Sequence, residues 1–351
     1  MKPCCRKGRG HRAEISVVSD ATGPVLSTGG AGLERRRKMK KTRIEWCDST
    51  FNPITGCRHG CEYCYAQRLA HRFGGYDPAY GASQTQDEHG NYVLESNEKK
   101  YRRDKNGKKA DAPYPFGFEP TFHKYRLDQI RHWKNEKPKN VFICSMADMF
   151  GTWVPNDWKI EVLEALKEAP QHNYLFLTKD PIGYDFWPTN KHKDARVYLL
   201  YTSNMWLGLT FTGTDRLWNH IGEYTEHLKS FDEYFRRMNG NFIPTGGAHR
   251  FLSIEPILND VCEVNSDEMG GKLLRKFIRK DRFAGDFEWV IVGAESGNRQ
   301  GKVVPEREWI EKLVQLCKEA GKPLFMKDSL IPIMGEKNML REYPEELKHQ
   351  D

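Results

Sequence analysis

The sequence contains no uninterrupted apolar stretch approaching the roughly 18 residues that a membrane-spanning helix requires. Its most apolar segments, Val141–Met146 and Trp289–Ala294, are strand-sized. The basic N-terminus is followed by no apolar core of the kind a secretory leader carries, so cytoplasm is the expected compartment. Positive charge is scarce in the body of the chain. Of a formal net charge of +7, six units belong to residues 1–38, and residues 39–351 sum to +1. Bulk electrostatics therefore single out no nucleic-acid-binding body, although Glu98–Lys109 is strongly basic. Apolar periodicity is missing from residues 1–38, which are rich in Gly, Ser, Thr and Arg and cannot form a core. Patterned sequence begins at Met39, and we expect 1–38 to be a disordered leader with Met39 a natural start. Periodicity is missing from 74–117 as well, which reads as an insertion or long loop.

A disulfide framework is also absent. The cysteines number nine, and four of them crowd into Cys47–Cys64 while Cys144, Cys262 and Cys317 stand singly among apolar neighbours. Crowding of this kind points to metal, and isolation to small buried hydrophobes.

What is present is a recurring unit. Short strands at Val141–Cys144, Tyr174–Leu177, Trp206–Phe211, Arg250–Ile254, Trp289–Val292 and Pro323–Met326 each end in chemistry-capable residues. Helices are expected between them at Asn156–Ala169, Thr214–Met238 and Pro305–Ala320, from apolar steps of three and four. Pro at the first turn and Gly321 past the end bound the last of these. Strands alternating with helices imply a parallel sheet. Near-continuous apolar strands imply burial on both faces, and polar residues at the C-terminal strand ends are what a (β/α) barrel offers at its working face. With a first strand within Ile44–Ile54, the expected architecture is α/β, a partial TIM-like barrel of six or seven parallel strands forming one domain over 39–351. A doubly wound open sheet is the alternative.

Thr55–Ala66 reads TGCRHGCEYCYA. Three thiolates in a C-x3-C-x2-C pattern can each bind one iron of a single 4Fe-4S cubane, and three ligands leave the fourth iron open to a substrate or cofactor. Gly56 and Gly60 permit the tight turns. Zinc is the competing occupant, with Cys47 or His59 as a fourth ligand, but no second C-x2-C exists in the chain.

The motif, with Tyr63 before the last cysteine, resembles the radical S-adenosylmethionine (SAM) superfamily. More closely, the chain resembles a phage-related, radical-SAM-like family of unknown function. The matching pieces are IEWCDSTFNPITGC at 44–57, CEYCYA at 61–66, VFICSMADMF at 141–150, YLFLTK at 174–179, WLGLTFT at 206–212, RFLSIEP at 250–256, WVIVGAESG at 289–297 and PLFMKD at 323–328. The resemblance implies a cluster on Cys57, Cys61 and Cys64, with SAM chelated at the open iron. It also implies reduction by an external electron donor, and hydrogen abstraction from substrate by a 5′-deoxyadenosyl radical. By position, Tyr63 lies against the adenine, and Ser145 and Asp148 hold the methionine amino group. Thr178, Lys179 and Thr210 serve ribose and carboxylate, while Glu255, Glu295 and Lys327 are the catalytic candidates. The phage association implies a nucleic acid or nucleotide as substrate. Oligomeric state is not readable. Glu255 and Glu295 alone would suit a glycosidase pair, a reading that leaves the cysteines unexplained. Each glutamate could equally pair with a nearby Lys or Arg. His123 and His172 have no metal-spaced partner and are expected to be structural or solvent-facing.

Overall fold

The apolar segments pair side by side in the order in which they occur along the chain. The computed structural model describes residues 39–80, 86–184, 202–213, 247–262 and 287–348. The leader 1–38 and the helix expected over 214–238 lie outside the described residues. In chain order the strands are β1 (Ser49–Phe51), β2 (Ile54–Thr55), β3 (Tyr92–Leu94), β4 (Tyr101–Arg103), β5 (Lys109–Asp111) and β6 (Thr121–His123). They continue with β7 (Asn140–Ile143), β8 (Asn173–Thr178), β9 (Met205–Phe211), β10 (His249–Ile254), β11 (Trp289–Val292) and β12 (Leu324–Met326). Seven of them, in the order β1-β7-β8-β9-β10-β11-β12, form one sheet, and every neighbouring pair is parallel.

The strand order never reverses, as it does in a doubly wound sheet. The sheet instead curls in one direction, and β1 and β12 are not paired to each other. This is a partial (β/α) barrel of seven strands.

Strand alternation sorts the core into two faces. One set of side chains, including Val141, Tyr174, Leu207, Leu252, Val290 and Leu324, shares a cluster with α2 (Asn156–Leu166) and α3 (Arg307–Ala320). The alternate set, Phe142, Leu175, Trp206, Phe251, Trp289 and Phe325, joins Trp46 in a second cluster on the concave side. Its rings meet edge to face or tilted, as Trp46 and Trp289 do at 6.2 Å and 80° and Trp46 and Phe142 at 4.7 Å and 44°. Burying one such ring contributes about 1.5–3 kcal/mol. Gly208 makes the arrangement possible, because a Cβ there would stand 2.3 Å from the Phe251 ring. The aromatic layer plugs the barrel and forms the floor beneath the C-terminal strand ends.

The C-terminal segment closes the other end. Asn140 and Asn173, at the starts of β7 and β8, donate from Nδ2 to the carbonyls of Leu347 and Glu346 at 2.8 and 2.9 Å. Trp289 Nε1 donates to Glu342 O at 2.9 Å. The stretch read as an insertion carries short strands. β3 lies beside β6, and β4 and β5 form a hairpin whose turn is tied by Asp104 Oδ1 accepting from the Asn106 and Lys108 N–H groups. Among the described residues no helix is long and apolar enough to cross a membrane.

Candidate functional site

Polar residues that follow the strands gather at the C-terminal mouth around a cavity of about 180 Å³. Its lining includes Cys57, Cys61, Cys64, Tyr63, Ser145, Asp148, Thr178, Lys179, Thr210, Glu255, Glu295 and Lys327. The twelve site candidates that the resemblance implies therefore all reach one space. Strand alternation is the reason: Thr210 sits two residues beyond Gly208, and Lys327 two beyond Phe325, so both face the concave side.

The cysteine loop is held over this mouth by its backbone. Gly56 N–H donates to Met146 O at 3.0 Å, and Cys57 N–H to Phe118 O at 3.1 Å. Gly56 has φ +88°, and a Cβ there would lie 2.3 Å from Glu119 O, so only glycine fits. Cys64 is the N-cap of α1 (Tyr65–Phe73), and its Sγ accepts from the Gln67 N–H at 3.3 Å. Burial pushes the Cys57 thiol up to about 12, with Asp148, Cys64 and Cys61 adding to the rise and the His59 backbone N–H opposing it. Burial also raises Cys64, and neighbouring Cys61 adds to this. Lys179 is the counter-charge. Burial lowers its pKa, while Cys61, Asp148, Cys57 and Cys64 pull it back upward. Its Nζ lies 5.2 Å from the Tyr63 ring centroid.

Three soft thiolates on one loop, with a cation beside them, suit an iron-sulfur cluster. Among the described residues no three Cys, His, Asp or Glu side chains converge as a single metal ion demands. The choice between a cluster and zinc therefore rests on the donor types and their C-x3-C-x2-C spacing, since no second pair of knuckle cysteines stands by to close a zinc site. Cys47 packs against the inner aromatic cluster instead of joining the loop cysteines.

Six of the remaining candidates, Asp148, Ser145, Thr178, Glu255, Glu295 and Lys327, are engaged with protein groups. Asp148 Oδ2 meets His59 Nε2 at 2.7 Å and accepts from the Lys179 N–H at 2.9 Å, while Oδ1 accepts from the Phe150 N–H at 3.0 Å. Burial pushes the carboxyl pKa up, but these hydrogen bonds outweigh it and hold the group below its ordinary value. Ser145 Oγ donates to Asn52 Oδ1 at 3.2 Å, and Thr178 Oγ1 to Asp180 O at 3.2 Å. Glu295, 2% exposed, takes a two-pronged contact from Arg299, at 2.8 and 2.9 Å. Arg299 also reaches Glu62, between two of the cysteines, at 3.4 Å. Lys327 is paired with Glu255 and lies 3.9 Å from Glu45. Burial opposes its charge, and the two carboxylates prevail, raising its pKa.

Several residues at the site had no sequence signal of their own. Tyr65 donates to Ser145 O at 2.6 Å and shapes the mouth. Glu45 finds partners far away in the chain, and Arg299 joins neighbouring Glu295 to distant Glu62. Ser253 is fully buried, lines the cavity, and its hydroxyl has no hydrogen-bond partner among the described residues. It is the register partner of Thr210. Alternation from Glu255, two residues on, was the signal available for it. His123 is buried and bonded to Thr55 Oγ1 at 2.9 Å, away from solvent and from the cavity.

Residues 41–331 match the family described as "Protein of unknown function (DUF5131)". The chain belongs to that family. Among curated proteins none matches this DUF5131 member. Among solved structures it is similar to a spore photoproduct lyase variant with bound AdoMet and dinucleoside spore photoproduct, at TM-score 0.40 and 9% identity, over 82% of this chain and 65% of that one. The chain thus spans about two thirds of that protein's length. A second spore photoproduct lyase variant, with dinucleoside spore photoproduct alone, gives TM-score 0.44 and 10% identity, over 82% and 78%.

Proposed function

We propose that this DUF5131 protein is a radical SAM enzyme, holding a 4Fe-4S cluster on Cys57, Cys61 and Cys64. The observation that carries the reading is the meeting of a three-thiol loop and nine further polar or aromatic candidates around one cavity at the strand ends. The motif's resemblance to radical-SAM-like proteins of phage supports it. When bound, the cluster and SAM would together supply a carbon radical able to take a hydrogen atom from substrate.

The chain's own residues do the rest. The Gly56 and Phe118 contacts fix the loop, and the α1 N-terminus stabilises negative charge on Cys64. Tyr63 offers an aromatic face, and Asp148 is a carboxylate held ionised by three donors, suited to an ammonium group. Thr210 and Lys179 extend the polar wall toward ribose and carboxylate groups. Lys327 with Glu255 presents a paired charge that could hold or move a proton at the substrate. The aromatic floor excludes water from beneath. An external reductant is required, and such a cluster belongs in a reducing compartment such as the cytoplasm.

Anaerobic reconstitution tests this. Brown protein with about four irons per chain is expected, and it should release 5′-deoxyadenosine with dithionite and SAM. Cys57→Ala, Cys61→Ala and Cys64→Ala should each lose both. Colourless protein holding zinc would replace this reading with that of a non-catalytic metal protein.

A further inference from the structure

Positive charge in the body of this protein is concentrated on one hairpin. Residues 99–111 carry seven Lys or Arg and two Asp, a net of +5, so the +1 of residues 39–351 becomes −4 without them. Part of that charge is matched at the hairpin's base. Lys99 pairs with Asp111 at 2.5 Å, Arg103 with Asp77 at 2.7 Å and Lys100 with Glu98 at 3.3 Å. Lys105 and Lys108 at the tip are exposed. Lys109 Nζ stands 3.9 Å from the Tyr101 ring centroid.

The hairpin is fastened to the helix that leaves the cysteine loop. Asp77 N–H donates to Tyr101 O at 2.8 Å, and Arg102 lies over the ring of Phe73, the last residue of α1. Nine helical residues, about 14 Å, separate that end from Cys64. The outer face of α1 between them carries Tyr65 and Leu69, 41% and 38% exposed, two of the three large hydrophobics exposed among the described residues. Exposed Arg68 and Arg72 accompany them; Arg68 also donates to the carbonyls of Tyr63 and Ser296. Tyr65 itself lines the cavity.

We propose that this track, from the β4–β5 hairpin along α1 to the cavity, holds a nucleic-acid strand. Its phosphates would sit on Lys105, Lys108 and their neighbours, and its bases against Tyr65 and Leu69. One nucleotide would enter the cavity, where the unpartnered Ser253 hydroxyl meets its base. Lysines with interleaved aromatic and apolar faces recognise a strand through backbone charge and stacking. A hydroxyl on an aromatic-walled floor suits a planar group with a hydrogen-bonding edge. A bilayer would need apolar residues at the tip, which reads Lys105-Asn106-Gly107-Lys108. The inference deepens the proposed function by naming the substrate class, and rests on that reading only in calling the strand a substrate.

The test is fluorescence anisotropy of the full chain with a labelled single-stranded oligonucleotide, DNA and RNA, and with its duplex, across a salt series. The double variant Lys105→Glu with Lys108→Glu should weaken single-strand binding at least tenfold. It should also lower the slope of log affinity against log salt by roughly 1.4, two phosphate contacts at ~0.7 each. Leu69→Ser should weaken binding without changing the slope. Both variants should melt like the parent, since the substituted side chains are exposed. Iron content on anaerobic reconstitution, read on the same samples, should be unchanged in the double variant, so a failed cluster and a failed strand site give different results. Unchanged affinity and slope in the double variant would overturn the proposal, as would variant-sensitive binding to phosphatidylglycerol vesicles with none to oligonucleotides.

Discussion

Ser253 illustrates how a residue unremarkable in sequence becomes informative once its surroundings are known. A buried hydroxyl without a partner is destabilising by about 1–3 kcal/mol, so Ser253→Ala should leave the free protein as stable as before, or about 1 kcal/mol more stable, in urea unfolding. A loss of stability would mean that the hydroxyl has a protein partner after all. Two histidines carry opposite pH signatures. Burial opposes charge on His249, but the hydrogen bond to Glu288 at 2.7 Å outweighs it and raises the pKa above 6.5. The stability from this pair is fully present below about pH 6.5 and is lost as pH rises through the raised value. His249→Gln should flatten that decline in pH-dependent unfolding. His123 is held neutral by burial, with Arg126 adding to the depression. Its contribution is present above about pH 6.5 and is lost as pH falls, so His123→Gln should soften acid unfolding. The cysteines were legible because their spacing is a local property. Glu45, Ser253 and Arg299 were not, because their meaning lies in what the fold brings to them.

At the scale of the element, the cysteine loop depends on a close backbone approach. Gly56→Ala would drive a methyl into Glu119 O and force a left-handed backbone on alanine. We expect a loss of at least about 2 kcal/mol and reduced iron uptake on reconstitution; unaltered melting and iron content would show that the loop has room to shift. The parallel strands were readable within a residue or so because each is a continuous apolar run bounded by turn residues. The expected Pro305–Ala320 helix is observed at Arg307–Ala320, ending at Gly321 with φ +63°. The β4–β5 hairpin was not readable. Its strands of three residues are too short to show a period of two, and their pairing is set by the Asp104 turn.

For the whole molecule, the barrel class followed from strands alternating with helices, but the closure of its base did not. The segment past residue 339 lies outside the family match, which ends at residue 331, yet its carbonyls at Glu342, Glu346 and Leu347 satisfy Trp289, Asn173 and Asn140. Removing residues 340–351 would take these acceptors from Trp289 and Asn140, while Asn173 keeps Asn140 Oδ1, and would uncover the aromatic floor, costing about 1–3 kcal/mol for each donor left unpaired. The truncated protein should unfold at lower denaturant and bind a hydrophobic dye; an unshifted midpoint would contradict this role.

The two rims of the sheet, meanwhile, are never laced to one another by main-chain bonds. Lys41 bridges to Ser49 on one rim and Arg341 to Phe325 on the other. Between them stands Glu45, whose carboxylate accepts from the Asp328 N–H and is drawn toward Lys327, while its backbone carbonyl accepts from the Tyr343 hydroxyl. Where ladder bonds stop, side chains take over: the ring of Trp46 rests on Phe251 and Trp289, so the seam of this barrel is sealed by aromatic packing and a carboxylate instead of by a strand pair.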